Sequence, residues 1–437
     1  MFKTLRNAFK IKDIRKKLLY TFFMLIVVRF GSQLPIPGVD PTFFEAFFTR
    51  TGDALGFFNA VTGGSFTNMS VFALSITPYI TSSIIMQLMT IAIPKLEEMQ
   101  KDGEDGRKKI AEYTRYLTVG LALIQSTAMA VGFGGQGLLK EFSVQSVVVA
   151  IAAMTAGSAF LMWIGERITE NGVGNGISIV LLFNIISTMP SDVTALYERF
   201  MSGKSVFIAA VDGLVILALI IAMIVFVVIL QGGERRIPVQ YSKKVQGRKM
   251  VGGQSSHIPL KVNTAGVIPV IFASSILSFP VVIAQFFNVD YATVGGKILR
   301  MLSSSNWFNP KEPIYSIGVI FYVVMIILFA YFYTSITFNP MEVANNMKKS
   351  GGFIPGIRPG KPTSDYLNSV LNYIVFIGAC GLVFVCLVPI VVSGVFTVSQ
   401  LSFGGTSLII IVGVILETIK SVESQMLVRN YRGFLND

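Results

Sequence analysis

The residue types that carry covalent, redox or metal chemistry are few and scattered in this chain. His257 is the single histidine, and Cys380 and Cys386 lie six positions apart in one apolar run, where they point to different helix faces and need not pair. No group of His, Cys or carboxylates has metal-ligand spacing, and neither a Walker-type phosphate loop nor GxGxxG after a strand is present. We therefore expect no catalytic residue, no metal and no cofactor, and any energy must come from a partner or a gradient.

The stretch from Phe57 to Pro94 is the most informative part of the sequence. Its first third is apolar but is interrupted by Gly63-Gly64 and by several hydroxyl and amide side chains, which a lipid-facing span would not hold. Residues 69–93 are long enough to cross a bilayer, which takes roughly 20 residues, yet they carry Pro78 in their interior. Broken backbone at membrane depth is tolerated only where protein covers it or where it lines a wet cavity. The sequence therefore predicts a short half-helix folded back into the protein, followed by a full helix that lines a pathway.

The composition is that of an all-α, polytopic membrane protein. Of the 437 residues, 52% are hydrophobic and 14% are charged, whereas a soluble domain is about one quarter charged. The fifth apolar segment, 176–190, is short for a span, and short or interrupted segments point to a central pathway. Hydropathy indicates ten transmembrane helices, near residues 18–34, 69–93, 116–132, 147–165, 176–190, 213–231, 265–287, 314–338, 368–392 and 405–422.

The basic residues predict the orientation in the membrane. With ten spans, 28 of the 36 Lys and Arg residues fall on one side, which places both termini in the cytoplasm. The net charge of +12 is therefore interpreted as a topology signal, and we expect no direct DNA binding. Two loops on the basic side, 231–264 and 339–367, are longer than orientation requires and are rich in Gly, Pro and Lys/Arg. Such loops suit a partner with an acidic or phosphate-bearing surface.

A short internal match suggests two halves. When Pro78 is aligned with Pro269, Ile80 faces Ile271, and both prolines lie in the second helix of a five-helix group. An odd number of helices in each half inverts the second half relative to the first, as in many membrane transport proteins. We therefore predict an N-terminal half at 1–200 and a C-terminal half at 201–437, with the pathway between them.

The predicted pathway is uncharged. The cores of the ten segments hold almost no ionisable residue, since Arg29 lies toward the outer end of the first, and polar residues such as Gln87, Gln125 and Asn184 are neutral. Aliphatic walls discriminate poorly between side chains, which suits a substrate of variable sequence, and they can obstruct ions by dewetting. Two alternatives stay open at this point. A coupled small-solute carrier would need an intramembrane carboxylate, and a lipid-processing enzyme would need a nucleophile and a base.

Several local motifs together resemble the bacterial SecY family, whose members are channel subunits of the Sec protein-translocation complex. The matches follow the family's order over nearly the whole chain, and as a set they are specific where any one alone would be weak. They are Arg29-Phe-Gly-Ser with Leu34-Pro-Ile-Pro-Gly38, Pro78-Tyr-Ile with Gln87-Leu, Tyr113-Thr-Arg-Tyr116, Trp163-Ile-Gly-Glu166, Gly172-Val-Gly-Asn-Gly-Ile-Ser178, Gln254-Ser-Ser-His-Ile-Pro-Leu-Lys-Val-Asn263, Ala265-Gly-Val-Ile-Pro269, Phe338-Asn-Pro340, Pro355-Gly-Ile-Arg-Pro-Gly360 and Phe403-Gly-Gly-Thr-Ser407.

The resemblance implies a protein-conducting channel, not an enzyme, built from two inverted five-helix halves that open like a clam. It implies a plug helix at about 55–68, with Gly63 and Gly64 as its hinge, and a lateral gate to which Gln87 and Gln125 would belong. Leucine stands at position 181 where the family often has isoleucine, and it is likewise bulky and aliphatic. The ring of aliphatic side chains at the channel's waist falls on Ile76, Ile80, Ile177, Leu181, Ile271 and Ile410.

The resemblance also implies partners and a location. The expected partners are SecE, SecG, the SecA motor ATPase, the ribosome, preprotein signal sequences and membrane lipids. The expected location is the inner membrane of a bacterial cell, crossed many times. Arg358 matches the family arginine on which SecA and the ribosome dock, and the other docking loop carries Arg235, Arg236, Arg248 and Lys249.

Overall fold

The fold is mainly helical in a computed structural model of the chain. The structure describes residues 9–40, 43, 59, 61–201, 206–241, 244–246, 249–251, 255–286, 293–303, 307, 313–396 and 405–433. The helices, in chain order, are α1 Lys12–Gly31, α2 Thr77–Ala92, α3 Pro94–Lys101, α4 Glu104–Gly132, α5 Val144–Asn171, α6 Gly176–Phe200, α7 Val206–Gly232, α8 Ile268–Phe286, α9 Val294–Leu302, α10 Ile317–Thr337, α11 Pro340–Lys349, α12 Lys361–Phe396 and α13 Gly405–Gly433.

Each of the ten predicted apolar segments falls on one of the longer helices. Within the described ranges, five helices are long and apolar enough by themselves to cross a membrane: α5, α6, α7, α10 and α12. The pair α2–α3 makes a sixth if it is counted as one span, although its two helices meet at 103°. The bend falls at Ile93, which is extended and precedes Pro94, because a residue before proline is driven out of the helical region.

The entry into α2 differs from the prediction. Residues 63–76 form consecutive turns, α2 begins only at Thr77, and Pro78 lies in its first turn. The placement of Pro78 in the interior of a span over 69–93 was therefore wrong. The physical reason is that the first turn of a helix needs no proline N–H, so proline is favoured there and not in the interior.

The fifth segment is also longer than predicted. Helix α6 runs for 25 residues and contains Pro190 within it, so the segment does not end near residue 190. Its start is well defined because the Asn175 side chain accepts hydrogen bonds from the backbone N–H groups of Ile177 and Ser178, at 3.1 and 3.3 Å. The helix therefore has a capped start and a length that is sufficient to span a bilayer.

A small sheet joins the two long basic loops, which the sequence analysis did not anticipate. Strands β1 Glu234–Tyr241, β2 Lys244–Gln246, β3 Lys249–Val251 and β4 Ser255–Lys261 come from the first loop, and β5 Gly352–Phe353 comes from the second. The strand order is β4-β1-β5, and both pairings are antiparallel. We call these three strands the loop sheet. Its apolar side packs on α11 and α12 through a cluster that includes Ile237, Leu260 and Leu367.

The helices have separate buried cores. The members of one core lie between Ile36 and Met154, and the members of another lie between Met223 and Val412. A third cluster draws residues from both parts of the sequence. The division of the chain near residue 200 into two inverted halves stays a prediction.

Helix α5 packs closely on the turns that precede α2. A Cβ atom at Gly157 would collide with the carbonyl oxygen of Val71, whereas a Cβ atom at Gly120 of α4 would meet nothing within 4 Å. The absence of a side chain at position 157 therefore lets α5 approach the backbone of the turn.

We expect Gly157→Ala to destabilise the protein by about 1–3 kcal/mol, the usual cost of forcing extra atoms into a packed interior. Gly120→Ala, also within a helix, should be neutral or slightly stabilising because alanine has the higher helix propensity. Thermal unfolding of the two purified variants in detergent measures the difference, and equal unfolding temperatures would contradict the close packing.

Candidate functional site

A buried aliphatic cluster lies where helices from both parts of the chain meet. We call it the waist cluster. It contains no charged residue among its described members, so any seal it makes depends on apolar packing. Its buried members are Val28, Val61, Phe72, Ile76, Leu161, Ile164, Ile168, Ile179, Val180, Leu181, Ile185, Ile410, Ile411 and Val414.

The structure brings five of the six predicted ring residues to this cluster. Ile76, Leu181 and Ile410 are buried members, and Ile80 and Ile177 are half-buried and pack against it. Ile271, the sixth, is half-buried on α8 but is not among the residues assigned to the cluster. Val267, which precedes α8, does pack against the waist cluster. The role of the six as a pore ring stays a prediction.

Helix geometry explains how four of these side chains come together. Ile76 and Ile80 are four residues apart at the start of α2, and Ile177 and Leu181 are four apart at the start of α6, so each pair lies on one helix face. Close approach of α5 to α6 supports this arrangement, because a Cβ atom at Gly176 would collide with the Gly165 carbonyl oxygen.

The predicted plug lies only partly within the described residues. Residues 55–58 and 60 lie outside them, and we call Asn59 with 61–68 the plug segment. Asn59, Val61 and Thr62 are helical and the rest forms turns. Val61 is buried in the waist cluster, so the plug segment and the predicted ring share one apolar core.

The two glycines of the predicted hinge differ in their surroundings. Both have positive φ, 67° for Gly63 and 81° for Gly64, which glycine adopts at little cost. A Cβ atom at position 63 would lie 2.9 Å from Ser187 Oγ and 3.0 Å from Asn184 Cα, whereas one at position 64 would meet nothing within 4 Å. Gly63 is therefore a contact point with α6, and the hinge role of both stays a prediction.

The plug segment is held by hydrogen bonds that involve Arg29, Asn184 and Ser187. The sequence analysis did not assign this role to them. Arg29 Nη1 donates to the Gly63 carbonyl oxygen at 3.1 Å and to Ser187 Oγ at 3.2 Å. Asn184 Nδ2 donates to the Val61 carbonyl oxygen at 3.2 Å and to Ser75 Oγ at 3.1 Å. The sequence did contain one sign of this site, since a lone arginine within an apolar run is by default a functional residue.

Backbone groups of the buried turns after the plug segment form hydrogen bonds within the turns and with the segment that follows α1. Val71 N donates to the Leu34 carbonyl oxygen at 2.9 Å, and Ile36 N donates to the Met69 carbonyl oxygen at 3.0 Å. Ser158 Oγ donates to the Ser75 carbonyl oxygen at 3.1 Å. Non-helical backbone is stable away from water only when it is paired in this way.

The predicted gate residues lie on neighbouring helices. Gln87 is exposed on α2 and Gln125 is half-buried on α4, and these two helices pack against each other. Their assignment to a lateral gate stays a prediction.

Three of the predicted docking residues lie in or next to the loop sheet. Arg235 and Arg236 are exposed on β1, and Arg358 is exposed in the turn that follows β5. Strand β1 pairs with β5 through Gln240–Phe353 and Tyr241–Gly352. Lys249 is in β3, while Arg248 lies outside the described residues.

One docking arginine is engaged within its own strand. Arg236 Nη2 lies 2.7 Å from Glu234 Oε1, and its hydrogen bond lowers the pKa of the Glu234 carboxyl. Because this pKa is lowered, the pair is retained as the pH falls below the ordinary titration range of a carboxyl and is lost at lower pH. An exposed pair contributes little to stability.

The long apolar helices and the buried non-helical turns before α2 define a polytopic membrane protein. A sequence model of the SecY family matches residues 70–419. "Protein translocase subunit SecY" of Halalkalibacterium halodurans is 43% identical and covers 100% of both chains. The protein of the same name from Streptomyces coelicolor is 44% identical over 100% of both chains. The chain belongs to the SecY family.

Solved structures share the fold. A protein-conducting channel aligns with a TM-score of 0.62 at 17% identity, over 94% of this chain and 93% of that one. A SecY protein, described for a plug domain that stabilises the closed state and maintains a membrane seal, aligns with the same score and identity over 94% and 92%. Sec61 in a canine ribosome–channel complex aligns at 0.60 and 15% identity, over 94% and 93%. The predicted SecY fold is therefore confirmed.

Proposed function

We propose that this chain forms the protein-conducting channel of a translocase, moving signal-bearing preproteins across the membrane and releasing membrane segments laterally into it. It acts as a channel subunit and not as an enzyme. The observation that carries the proposal is the waist cluster, an uncharged buried cluster in which residues of a non-helical stretch of chain are packed. Membership of the SecY family supports the same function.

The apolar packing of the waist suits this task. Contacts between aliphatic side chains are non-directional and individually weak, so they can re-form around a passing polypeptide of any sequence. When no polypeptide is present, an apolar constriction also resists ions because it does not hold water. In this proposal the six ring residues close the resting channel together with the plug, and the gate near Gln87 and Gln125 opens to lipid. The ring residues are Ile76, Ile80, Ile177, Leu181, Ile271 and Ile410.

The proposed assembly is that of a bacterial translocase. The partners are SecE, SecG, the SecA motor, the ribosome and preprotein signal sequences, and the chain lies in the bacterial inner membrane with both termini in the cytoplasm. The bias of basic residues supports this orientation, and both relatives named above come from bacteria. The exposed arginines of the loop sheet support a docking surface for a motor or a ribosome.

The proposed function is tested by reconstitution. Vesicles that contain this chain with SecE, supplied with SecA and ATP, should import a signal-bearing preprotein into a protease-protected space. A preprotein without its signal should stay outside. If the signal-bearing preprotein is not imported, whereas a known SecY assayed in parallel imports it, the chain is not such a channel.

Replacing Ile80, Ile177 and Ile271 together with glycine should raise the resting ion leak of such vesicles, because three apolar walls of the constriction are removed. A matched control changes three exposed isoleucines on other helices to glycine: Ile124, Ile208 and Ile320. Equal conductance of the two triple variants would contradict the ring.

Arg358→Glu should lower the initial rate of SecA-dependent import at least tenfold, equivalent to about 1.4 kcal/mol, because it places a negative charge on the docking surface. Lys297→Glu makes the same charge change at an exposed position on α9 and should import normally. Assembly with SecE, measured by co-purification, should be unchanged in both. Normal import by Arg358→Glu would exclude this arginine from docking.

A further inference from the structure

The plug segment is fastened by a set of side chains that all belong to the N-terminal helices. Arg29 is on α1, and Asn184 and Ser187 lie one helical turn apart on α6. We call these three side chains the plug clasp. Arg29 and Asn184 bond to oxygens of the stretch between Val61 and Ser75, and Ser187 accepts a hydrogen bond from Arg29. The plug is thus connected by hydrogen bonds to the helices that precede residue 200.

Asn184 links the two ends of this stretch by hydrogen bonds. Its amide nitrogen carries two hydrogens, and both are used, one on the Val61 carbonyl oxygen and one on Ser75 Oγ. These acceptors are 14 positions apart in the sequence. The side chain is buried, with 5% of its surface exposed. If one of its hydrogen bonds breaks and the surrounding structure does not move, water cannot take the place of the lost acceptor.

Arg29 and Ser187 act together at Gly63. Arg29 Nη1 donates to the Gly63 carbonyl oxygen at 3.1 Å and to Ser187 Oγ at 3.2 Å. The single hydroxyl hydrogen of Ser187 is donated to the Asn184 carbonyl oxygen at 2.7 Å, so Ser187 positions the guanidinium as an acceptor. A hydrogen bond from a guanidinium is stronger than one between neutral groups. Gly63 can approach α6 this closely only because it lacks a side chain. The turn at Gly63 is therefore held by a charge-assisted contact.

The backbone beyond the clasp is strained. Met69 and Ser75 are not glycines, yet they have φ of 43° and 51°, a region that such residues adopt only where the surroundings enforce it. Ser75 is also the residue that Asn184 and Ser158 bind. The clasp thus holds in place a conformation that the chain would not adopt by itself.

We infer that the plug clasp positions the stopper on the N-terminal helices, so that parting the two halves of the channel does not by itself release it. Release requires that the bonds of Arg29 and Asn184 to this stretch break as a separate step. Arg29 is therefore a positioning residue for the closed state. This inference rests on the proposed function, in which the segment at 55–68 is a removable plug.

The clasp is tested by resting ion flux through vesicles that contain the chain with SecE. Arg29→Gln should raise the flux about tenfold, which corresponds to about 1.4 kcal/mol in the closed–open balance, and Asn184→Ala should raise it as well. Arg29→Lys keeps the charge but loses the planar fork and should fall between wild type and Arg29→Gln. Thr188→Ala removes a buried hydroxyl that bonds only the Ile185 carbonyl within α6 and should leave the flux unchanged.

A double variant tests the link between Arg29 and Ser187. Because Ser187 acts through Arg29, whose Nη1 donates to its Oγ, Arg29→Gln with Ser187→Ala should leak little more than Arg29→Gln alone. Independent, multiplying effects would overturn this link. Hydrogen exchange of amides 61–76 gives a second measurement, and exchange should quicken in Arg29→Gln but not in Thr188→Ala.

Preprotein import by the wild-type chain separates this inference from the proposed function. If wild-type vesicles do not import a signal-bearing preprotein, the proposed function fails. If they import it with low leak, but Arg29→Gln and Asn184→Ala match Thr188→Ala in both flux and exchange, the clasp is wrong while the function stands.

Discussion

A bilayer cannot supply hydrogen bonds to a peptide group, so a non-helical stretch of a membrane protein must find every partner inside the protein. Residues 63–76 meet this constraint in two ways. Many of their N–H groups bond back to nearby carbonyl oxygens in short turns, and Val71 bonds to the segment that follows α1. Side chains of α1, α5 and α6 add further hydrogen bonds. The position of three helices is thus linked to the conformation of one short stretch.

The same constraint explains the glycines at helix contacts. Side chains cannot intervene where the backbone of a turn must lie against a helix, and Gly157 provides that space against Val71 while Gly63 provides it against α6. Where the contact is between two helices, Gly165 and Gly176 allow a similar approach. Small residues at such contacts are typical of membrane proteins, since lipid offers no hydrophobic driving force for helix association.

Sequence reasoning predicted the helices well because hydropathy over a span is a local property. It misplaced Pro78 and shortened the segment at 176–190, since a proline marks a helix start, a kink or an end, and the sequence alone does not separate these cases. The loop sheet was missed because β1 and β5 are more than 110 residues apart and β5 has only two residues. Neither strand carries a pattern that identifies its partner.

In the candidate site, too, local spacing was predictable from the sequence and long-range contacts were not. Five of the six residues that the resemblance assigned to the ring lie in or against one apolar cluster, and two pairs of them are brought together by four-residue spacing along a helix. Ile271 was assigned to the ring by the same resemblance, but its place relative to the cluster depends on how the two parts of the chain pack, which spacing does not determine. The contacts of Arg29 with Gly63 and Ser187 join positions that are 34 and 158 residues apart, and only the folded chain reveals them.

Apolar packing and polar contacts have different physical consequences at this site. The free energy of an aliphatic contact changes gradually with the area that is buried, so the waist can widen by degrees without a defined threshold. Hydrogen bonds depend steeply on distance and angle, so the bonds that hold the plug segment are either formed or broken. In the proposed channel, an apolar constriction that adapts to any chain is therefore poorly suited to define a single closed state. The directional bonds of Arg29 and Asn184 are suited to define one, because they fix the plug segment at one position on α1 and α6.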